Sequence, residues 1–228
     1  MGTVWGFTQD VRNWFSLRSI NDSLAMENFM LRARLAKTEG QASDSICTSQ
    51  LPQDCIADGC MYIPAVIKKI SDDPQHNYII IDKGTADGVK EGSGIVTGKG
   101  VIGVVDTVSE KFSYARSFKN HSMSTSARLG RRGAAGQLCW DGIHSNGGIL
   151  KEIPHHVEFS PGDTVYTSGY SSIFPPDIPL GTTGRSRIVN GSTYEIQIRL
   201  FEDFAALRYV TVVVNLEKEE IKRLEDRQ

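Results

Sequence analysis

Serine and histidine side chains are the first candidates for chemistry in this chain of 228 residues. Ser168 lies in a Thr-Ser-Gly turn, and five histidines are spread along the chain: His76, His121, His144, His155 and His156. A serine nucleophile needs a base within hydrogen-bond reach and an oxyanion hole, and neither G-x-S-x-G nor G-D-S-G occurs. We therefore predict no catalytic residue.

Phosphate and metal sites are disfavoured by spacing. Gly98-Lys99 lacks the Ser or Thr that would follow in a phosphate loop, and a β-hairpin accounts for these residues. Cys47, Cys55 and Cys60 have seven and four intervening residues, unlike the C-x-x-C pairs of zinc sites. We predict no metal and no cofactor. A local disulfide such as Cys55–Cys60 and unpaired cysteines, with Cys139 distant, both stay open.

Composition excludes two broad classes. The 25 Lys and Arg nearly balance the 27 Asp and Glu, so the formal net charge is −2. Nucleic-acid binding needs a concentrated basic footprint, which the small group at Arg128, Arg131 and Arg132 does not supply. The sequence has no apolar run of about 18 residues, the length that a membrane-spanning helix requires.

The stretch from Pro161 to Gly184 reads P-G-D-T-V-Y-T-S-G-Y-S-S-I-F-P-P-D-I-P-L-G-T-T-G. Its prolines fix φ and bias each preceding residue toward extended geometry, so we predict a preset loop after a strand. The apolar group Phe174, Pro175, Ile178 and Leu180 fits three roles: core, loop anchor or contact patch. Core or anchor use is more common for apolar residues.

This stretch resembles the signature of the MreC family of rod-shape-determining proteins. The pattern G-D-x-V-x-T-S-G-x-x-x-x-F-P-P-x-I-P-x-G is long and irregular, so chance agreement is rare. Its family-signature residues here are Gly162, Asp163, Thr167, Ser168, Gly169, Phe174, Pro175, Ile178, Pro179 and Gly181. The resemblance extends through residues 79–89 and 96–105 and covers roughly residues 17–215.

The region from residue 62 to residue 215 has many short Val- and Ile-rich segments separated by turns, which predicts a mainly β fold of sandwich or barrel type. The resemblance implies two small six-stranded β-barrels, related in fold to chymotrypsin-like proteases. On that basis we expect a first barrel over 62–118 completed by 186–215, and a second barrel over 119–185. A Cys-containing linker is expected over 38–61, and a charged tail of helical propensity, frayed rather than functional, over 216–228.

The amino-terminal segment, residues 1–37, has a heptad pattern that predicts a coiled-coil dimerisation helix. From Trp14 the apolar and amide positions alternate at spacings of three and four: Trp14, Leu17, Asn21, Leu24, Asn28, Leu31 and Leu35. Asn at one seam position with Leu at the other favours parallel pairing of two strands, because a buried Asn bonds its mate only in register. An amphipathic helix packed on its own domain is the alternative.

The resemblance also implies a function, a location and partners. MreC proteins are scaffolds of the cell-elongation machinery, without enzymatic activity, that link MreB and MreD to peptidoglycan synthesis. The implied partners are a second copy in a homodimer, filaments of such dimers, MreD, MreB, the elongation-specific penicillin-binding protein transpeptidase and its glycosyltransferase. The globular part is expected outside the cytoplasmic membrane, in the periplasm, with an amino-terminal membrane anchor that this sequence lacks. The alternative is a hydrolase or peptidoglycan-binding module with a cleft between two barrels.

Overall fold

The computed structural model describes residues 56–57, 59–71 and 76–226. The predicted coiled coil over 1–37 and the cysteines Cys47 and Cys55 lie outside these residues. No helix within the described part is long and apolar enough to cross a membrane.

The predicted mainly β fold with two six-stranded antiparallel barrels is confirmed. The first barrel has six strands: β2 (Cys60–Ile70), β3 (Tyr78–Ile81), β4 (Gly94–Thr97), β5 (Gly100–Val108), β6 (Ser113–Ser117) and β13 (Tyr209–Asn215). Their order is β2-β13-β4-β5-β6-β3, and β3 pairs back onto β2 to close the barrel. A two-residue strand, β1 (Ile56–Ala57), flanks β2.

The second barrel is continuous in sequence, and its strands are β7 (Ser124–Leu129), β8 (Ala135–Trp140), β9 (Gly147–Pro154), β10 (Thr164–Thr167), β11 (Pro179–Val189) and β12 (Thr193–Leu200). It closes in the order β10-β11-β12-β9-β8-β7. Alternate residues along the strands face inward and are buried, as the two-residue period of a strand requires.

The expected boundary between the barrels is wrong for residues 186–200. Both β11 and β12 belong to the second barrel, and β13 is the strand that completes the first one. The reason is a hairpin turn in which Asn190 and Gly191 adopt positive φ angles of 52° and 68°, returning the chain onto β11. Asn-Gly is a strong hairpin signal, so the sequence carried this information.

The expected linker over 38–61 also ends too late. Cys60 and Met61 are buried and already belong to β2, where they pair with Asn215 and Val214. The strand continues through Pro64, which pairs with β13 on one side, while β3 joins β2 only from Ile67 onward. A proline, which lacks an N–H donor, is tolerated where one side of a strand has no partner.

The charged tail expected over 216–228 contains a helix, as its helical propensity indicated, and this helix is not frayed from the first barrel. Helix α1 (Lys218–Glu225) is held to the first barrel because the Lys218 ammonium donates to the Gly92 carbonyl at 2.8 Å. Lys90 and Glu219 add an exposed ion pair at 3.2 Å. Partial burial lowers the pKa of Lys218 below its usual value.

Candidate interaction surface: the signature loop and the barrel seam

The loop between β10 and β11, residues 168–178, here called the signature loop, is organised by hydroxyl groups. Thr167 is buried, and its Oγ1 donates to the Pro175 carbonyl at 2.7 Å while accepting the Ile178 amide at 3.0 Å. The same side chain therefore connects both sides of the loop. A single hydrogen bond of this kind contributes about 0.5–1.5 kcal/mol, and leaving a buried partner unpaired costs about 1–3 kcal/mol.

Ser168 is used for structure. It is 3% exposed, its Oγ donates to the Ser126 Oγ at 2.7 Å, and it accepts the Tyr170 amide at 3.1 Å. These contacts join the loop to β7 and form a turn. Among the described residues, the partners of the Ser168 hydroxyl are Ser126 and Tyr170, and neither is a histidine.

Phe174 anchors the loop to the first barrel. Its side chain is 4% exposed, and its ring lies directly over Gly94 of β4. A Cβ atom built on Gly94 would lie 2.5 Å from the ring, so this close approach requires glycine. The Asn215 side chain of β13 donates to the Ser172 carbonyl at 3.0 Å, which adds a polar contact between the loop and the first barrel.

The other signature residues support the two ends of the loop. Gly162 and Gly169 have φ angles of 97° and 78°, which favour glycine. Asp163 Oδ2 accepts the Ser160 amide at 2.7 Å, Pro179 begins β11, and Gly181 lies against the backbone of Arg199, where a Cβ would be 2.3 Å from the carbonyl oxygen. The signature therefore encodes how the loop is built and where it packs.

The remaining contacts fill the seam between the barrels. The rings of Phe118 and Phe204 stack with centroids 6.4 Å apart, and Thr97 Oγ1 donates to Glu202 Oε2. A residual cavity of about 10 Å³ is lined by residues of both barrels, including Val101 and Leu180. A cavity needs about 10–15 Å³ on this measure to hold a single water molecule, so this one has no room for a sugar or a peptide.

The hairpin turn between β8 and β9 is ordered by side-chain hydrogen bonds that the sequence analysis did not predict. Asp141 Oδ1 accepts the amides of Ile143 and His144 at 2.9 Å, and Asp141 Oδ2 lies 2.6 Å from His144 Nδ1. Partial burial raises the pKa of Asp141, but these hydrogen bonds outweigh it and leave the pKa below its usual value. The hairpin holds Ile143 at 79% exposure. The signal was Asp141-Gly142, a turn-forming pair.

The predicted dimerisation residues Trp14, Leu17, Asn21, Leu24, Asn28, Leu31 and Leu35 lie outside the described residues. Among the described residues, no group of three or more His, Cys, Asp or Glu side chains could hold a metal ion. Cys139 is a free thiol whose pKa is raised by burial.

Comparison with known proteins gives one consistent family. The family model described as "Rod shape-determining protein MreC, barrel core" matches residues 66–214. The chain is 26% identical over 209 residues to the cell shape-determining protein MreC of Escherichia coli K12, covering 84% of this chain and 54% of the relative. It is 30% identical over 160 residues to MreC of Listeria monocytogenes, and this alignment covers 67% of this chain and 54% of that relative. The chain thus spans about half the length of these curated relatives.

Solved structures show the same fold. MreC from Listeria monocytogenes matches with a TM-score of 0.64 and 25% identity, covering 92% of this chain and 94% of that one. A periplasmic domain of the "cell shape-determining filament MreC" matches with a TM-score of 0.57 and 21% identity, covering 68% of this chain and 96% of that one. MreC from Helicobacter pylori was solved in a complex with the penicillin-binding protein PBP2. It matches with a TM-score of 0.56 and 16% identity, covering 68% of this chain and 99% of that one.

Proposed function

The chain belongs to the MreC family of rod shape-determining proteins, and from that membership we propose that it is a non-enzymatic scaffold of the bacterial cell-elongation machinery. One observation carries the proposal. The most distinctive residues of the chain, which include Ser168, are occupied in building the loop between β10 and β11 and in packing it on the first barrel. Phe174 lies on Gly94, and Ser168 bonds to Ser126 and Tyr170. A rigid pair of barrels suits a scaffold, because preorganised surfaces bind with little ordering cost.

The proposed partners follow from the family. A related MreC was solved in a complex with PBP2, which supports an elongation-specific penicillin-binding protein transpeptidase as the partner of this chain. We further propose that MreD and MreB, and the glycosyltransferase paired with the transpeptidase, belong to the same assembly. The globular part would work outside the cytoplasmic membrane, in the periplasm, with the protein held by an anchor in that membrane.

Pairing of two copies through the heptads of residues 1–37 is part of the proposal. Two copies offer two sets of partner surfaces, and linked binding sites raise avidity for an assembled enzyme complex. Light scattering after gel filtration should give the mass of a dimer for the full chain and of a monomer after deletion of residues 1–37. A dimer after the deletion would assign pairing to another part of the chain.

The scaffold role is tested by direct binding. The immobilised full chain is exposed to the purified extracytoplasmic part of the elongation-specific transpeptidase in biolayer interferometry, with a class A β-lactamase as the control analyte. Saturable binding of the transpeptidase alone supports the proposal, and equal responses from both analytes contradict it.

A second measurement tests the absence of serine chemistry. The full chain and its Ser168→Ala variant are treated with a fluorophosphonate that labels activated serines. We expect no labelling in either protein, because Ser168 lacks a base. Labelling that Ser168→Ala removes would establish a nucleophile and overturn the non-enzymatic assignment.

A further inference from the structure

The second barrel has a free strand edge at the end opposite to the signature loop. We propose that residues 185–189 of β11, here called the free edge, bind an extended segment of a partner protein, which joins the sheet as an added strand. The partner segment has apolar side chains on one face and acidic side chains on the other. This inference rests on the proposed scaffold role only in that the occupant is a protein.

The free edge arises because β11 outruns its neighbour on one side. β11 pairs with β10 only over residues 179–182, but it pairs with β12 over residues 181–189. The loop before β10 extends the first ladder as far as Thr183, whose amide donates to the Asp163 carbonyl at 2.9 Å. Beyond this point no described strand pairs with β11 on that side. The second barrel is therefore closed by β10 over residues 179–182 of β11, whereas residues 185–189 of β11 form an unpaired strand edge.

The free edge presents backbone groups at Ser186 and Ile188. The amide and the carbonyl of Thr183 both bond away from β12, to Asp163 and Gly162. Thr183, Ser186 and Ile188 face Ile198, Ile196 and Tyr194, which are alternate residues of β12. A register shift between Thr183 and Ser186 adds one residue to β11 and none to β12. Orientation repeats every second residue along β12, so the backbone groups of Ser186 and Ile188, like those of Thr183, point away from β12. An incoming strand would find two donors and two acceptors there.

A groove of about 730 Å³ runs between this edge and the loop over residues 155–163. Its apolar part is formed by Phe159 and Tyr194, whose rings meet edge to face with centroids 5.5 Å apart. Ile188, opposite Tyr194, is 58% exposed. The side chains on one face of an added strand would lie against these apolar groups, which gives that face its apolar character.

The free edge carries two exposed arginines. Arg187, on the face away from the groove, is bonded to Glu195 at 2.6 and 2.9 Å, whereas Arg185 lines the rim of the groove. Within the described residues no ion pair is recorded for Arg185. Of the groove carboxylates, Asp163 is engaged by the Ser160 amide, and Glu158 lies on the opposite, loop side. Acidic residues on the outer face of the partner strand would complement Arg185 and Arg187.

A second copy of this chain fits the same edge poorly. Antiparallel pairing of two free edges centred on Ser186 places Arg185 of one copy opposite Arg187 of the other. Pairing centred on Arg187 places the two copies of Arg187 opposite each other. Like charges directly across a strand pair are destabilising, so these two registers are disfavoured, and self-pairing is left with the register centred on Ile188, in which Arg187 faces Val189. An acidic partner meets no such restriction.

The test uses a fluorescein-labelled hexapeptide of alternating Val and Glu, titrated with the full chain and followed by fluorescence anisotropy. We expect saturable binding that is lost when alternate peptide amides are N-methylated, because methylation removes main-chain donors and leaves the side chains. Ser186→Pro should weaken binding about tenfold, the effect of one lost hydrogen bond of about 1.4 kcal/mol. Ser186→Ala is the matched control and should bind as the original chain does.

Charge reversal gives an independent readout. Arg185→Glu should weaken binding of the Val-Glu peptide about tenfold and favour a Val-Lys peptide instead. Thermal unfolding of each variant checks that the barrel is intact, and prolines are tolerated at strand edges that face solvent. Equal binding of the N-methylated peptide, equal affinities of Ser186→Pro and Ser186→Ala, or no saturable binding at millimolar protein would overturn the proposal.

Two further outcomes are separated by design. If sedimentation shows that Ser186→Pro dissociates an oligomer of the full chain, the occupant is a second copy and the acidic-partner proposal is wrong. If the chain binds the hexapeptide but fails to bind the transpeptidase, the scaffold role with that partner fails while the free edge stands. Transpeptidase binding with no peptide binding gives the reverse result.

Discussion

The signature loop and the free edge lie at opposite ends of the second barrel, and they differ in how their polar groups are used. In the loop, Thr167 and Ser168 are buried with their hydroxyls bonded inside the protein. At the free edge, the outward backbone groups of Ser186 and Ile188 have no partner strand within the described part of the chain. A distinctive sequence pattern therefore marks architecture here, whereas the surface best prepared for binding has an ordinary sequence.

The largest loss of stability is expected from a substitution that removes the contact between the signature loop and the first barrel. Phe174→Ala removes a buried ring that lies over Gly94, and truncations of this kind lower the free energy of unfolding by about 3–5 kcal/mol. Urea denaturation measures the change. Tyr170→Ala is the control from the same loop, because Tyr170 is 81% exposed and its loss should cost less than about 0.5 kcal/mol. Equal costs for the two variants would show that the loop is not an anchor.

A smaller effect is expected from the hydroxyl that organises the loop. Thr167→Val keeps the shape of the side chain but leaves the Pro175 carbonyl and the Ile178 amide without their partner. We expect a loss of about 1–3 kcal/mol in urea denaturation. Thr107→Val is the control, since Thr107 is an exposed strand residue. A loss below that of the control would mean that the loop holds its shape without this hydroxyl.

A pH-dependent change in stability is expected at the hairpin between β8 and β9, which lies at the same end of the second barrel as the signature loop. The pKa of Asp141 is lowered in the folded state, so its contribution to stability is present above the unfolded value of about 3.8 and is lost as the pH falls through the lower, folded value. Asp141→Asn should lower the free energy of unfolding by about 1 kcal/mol near neutral pH. The difference between the two proteins should shrink in strong acid, and a constant difference would assign no role to the ionised carboxylate.

The smallest effect is expected at the free edge. Arg187→Ala removes an ion pair with Glu195 in which the arginine side chain is 76% exposed, and exposed pairs contribute about 0–1 kcal/mol. Thermal unfolding should therefore change little, while binding of the Val-Glu hexapeptide should weaken. A loss of stability comparable to that of Thr167→Val would show that this edge, too, is used to hold the fold, and the contrast between the two ends would disappear.

Particular residues show which features of the fold could be predicted from the sequence and which could not. The barrels followed from alternating Val- and Ile-rich segments, and the family from the pattern between Gly162 and Gly181. The boundary at residue 185 was wrong because the Asn190-Gly191 turn was not weighed as a hairpin signal. The burial of Phe174 could not be chosen from among core, anchor and contact roles, because its partner Gly94 is 80 residues away in sequence.

The sequence by itself determined the strand-rich character, the family and the absence of a recognisable nucleophile motif, because these depend on local periodicity and on residue types at short spacing. Tertiary structure decided which end of the second barrel is closed and which is free. Whether a strand has an unpaired edge depends on where its neighbour ends, and β10 and β11 differ in extent by an amount that no local pattern records. Strand pairing is a non-local property, so the free edge became visible only when the barrel was assembled.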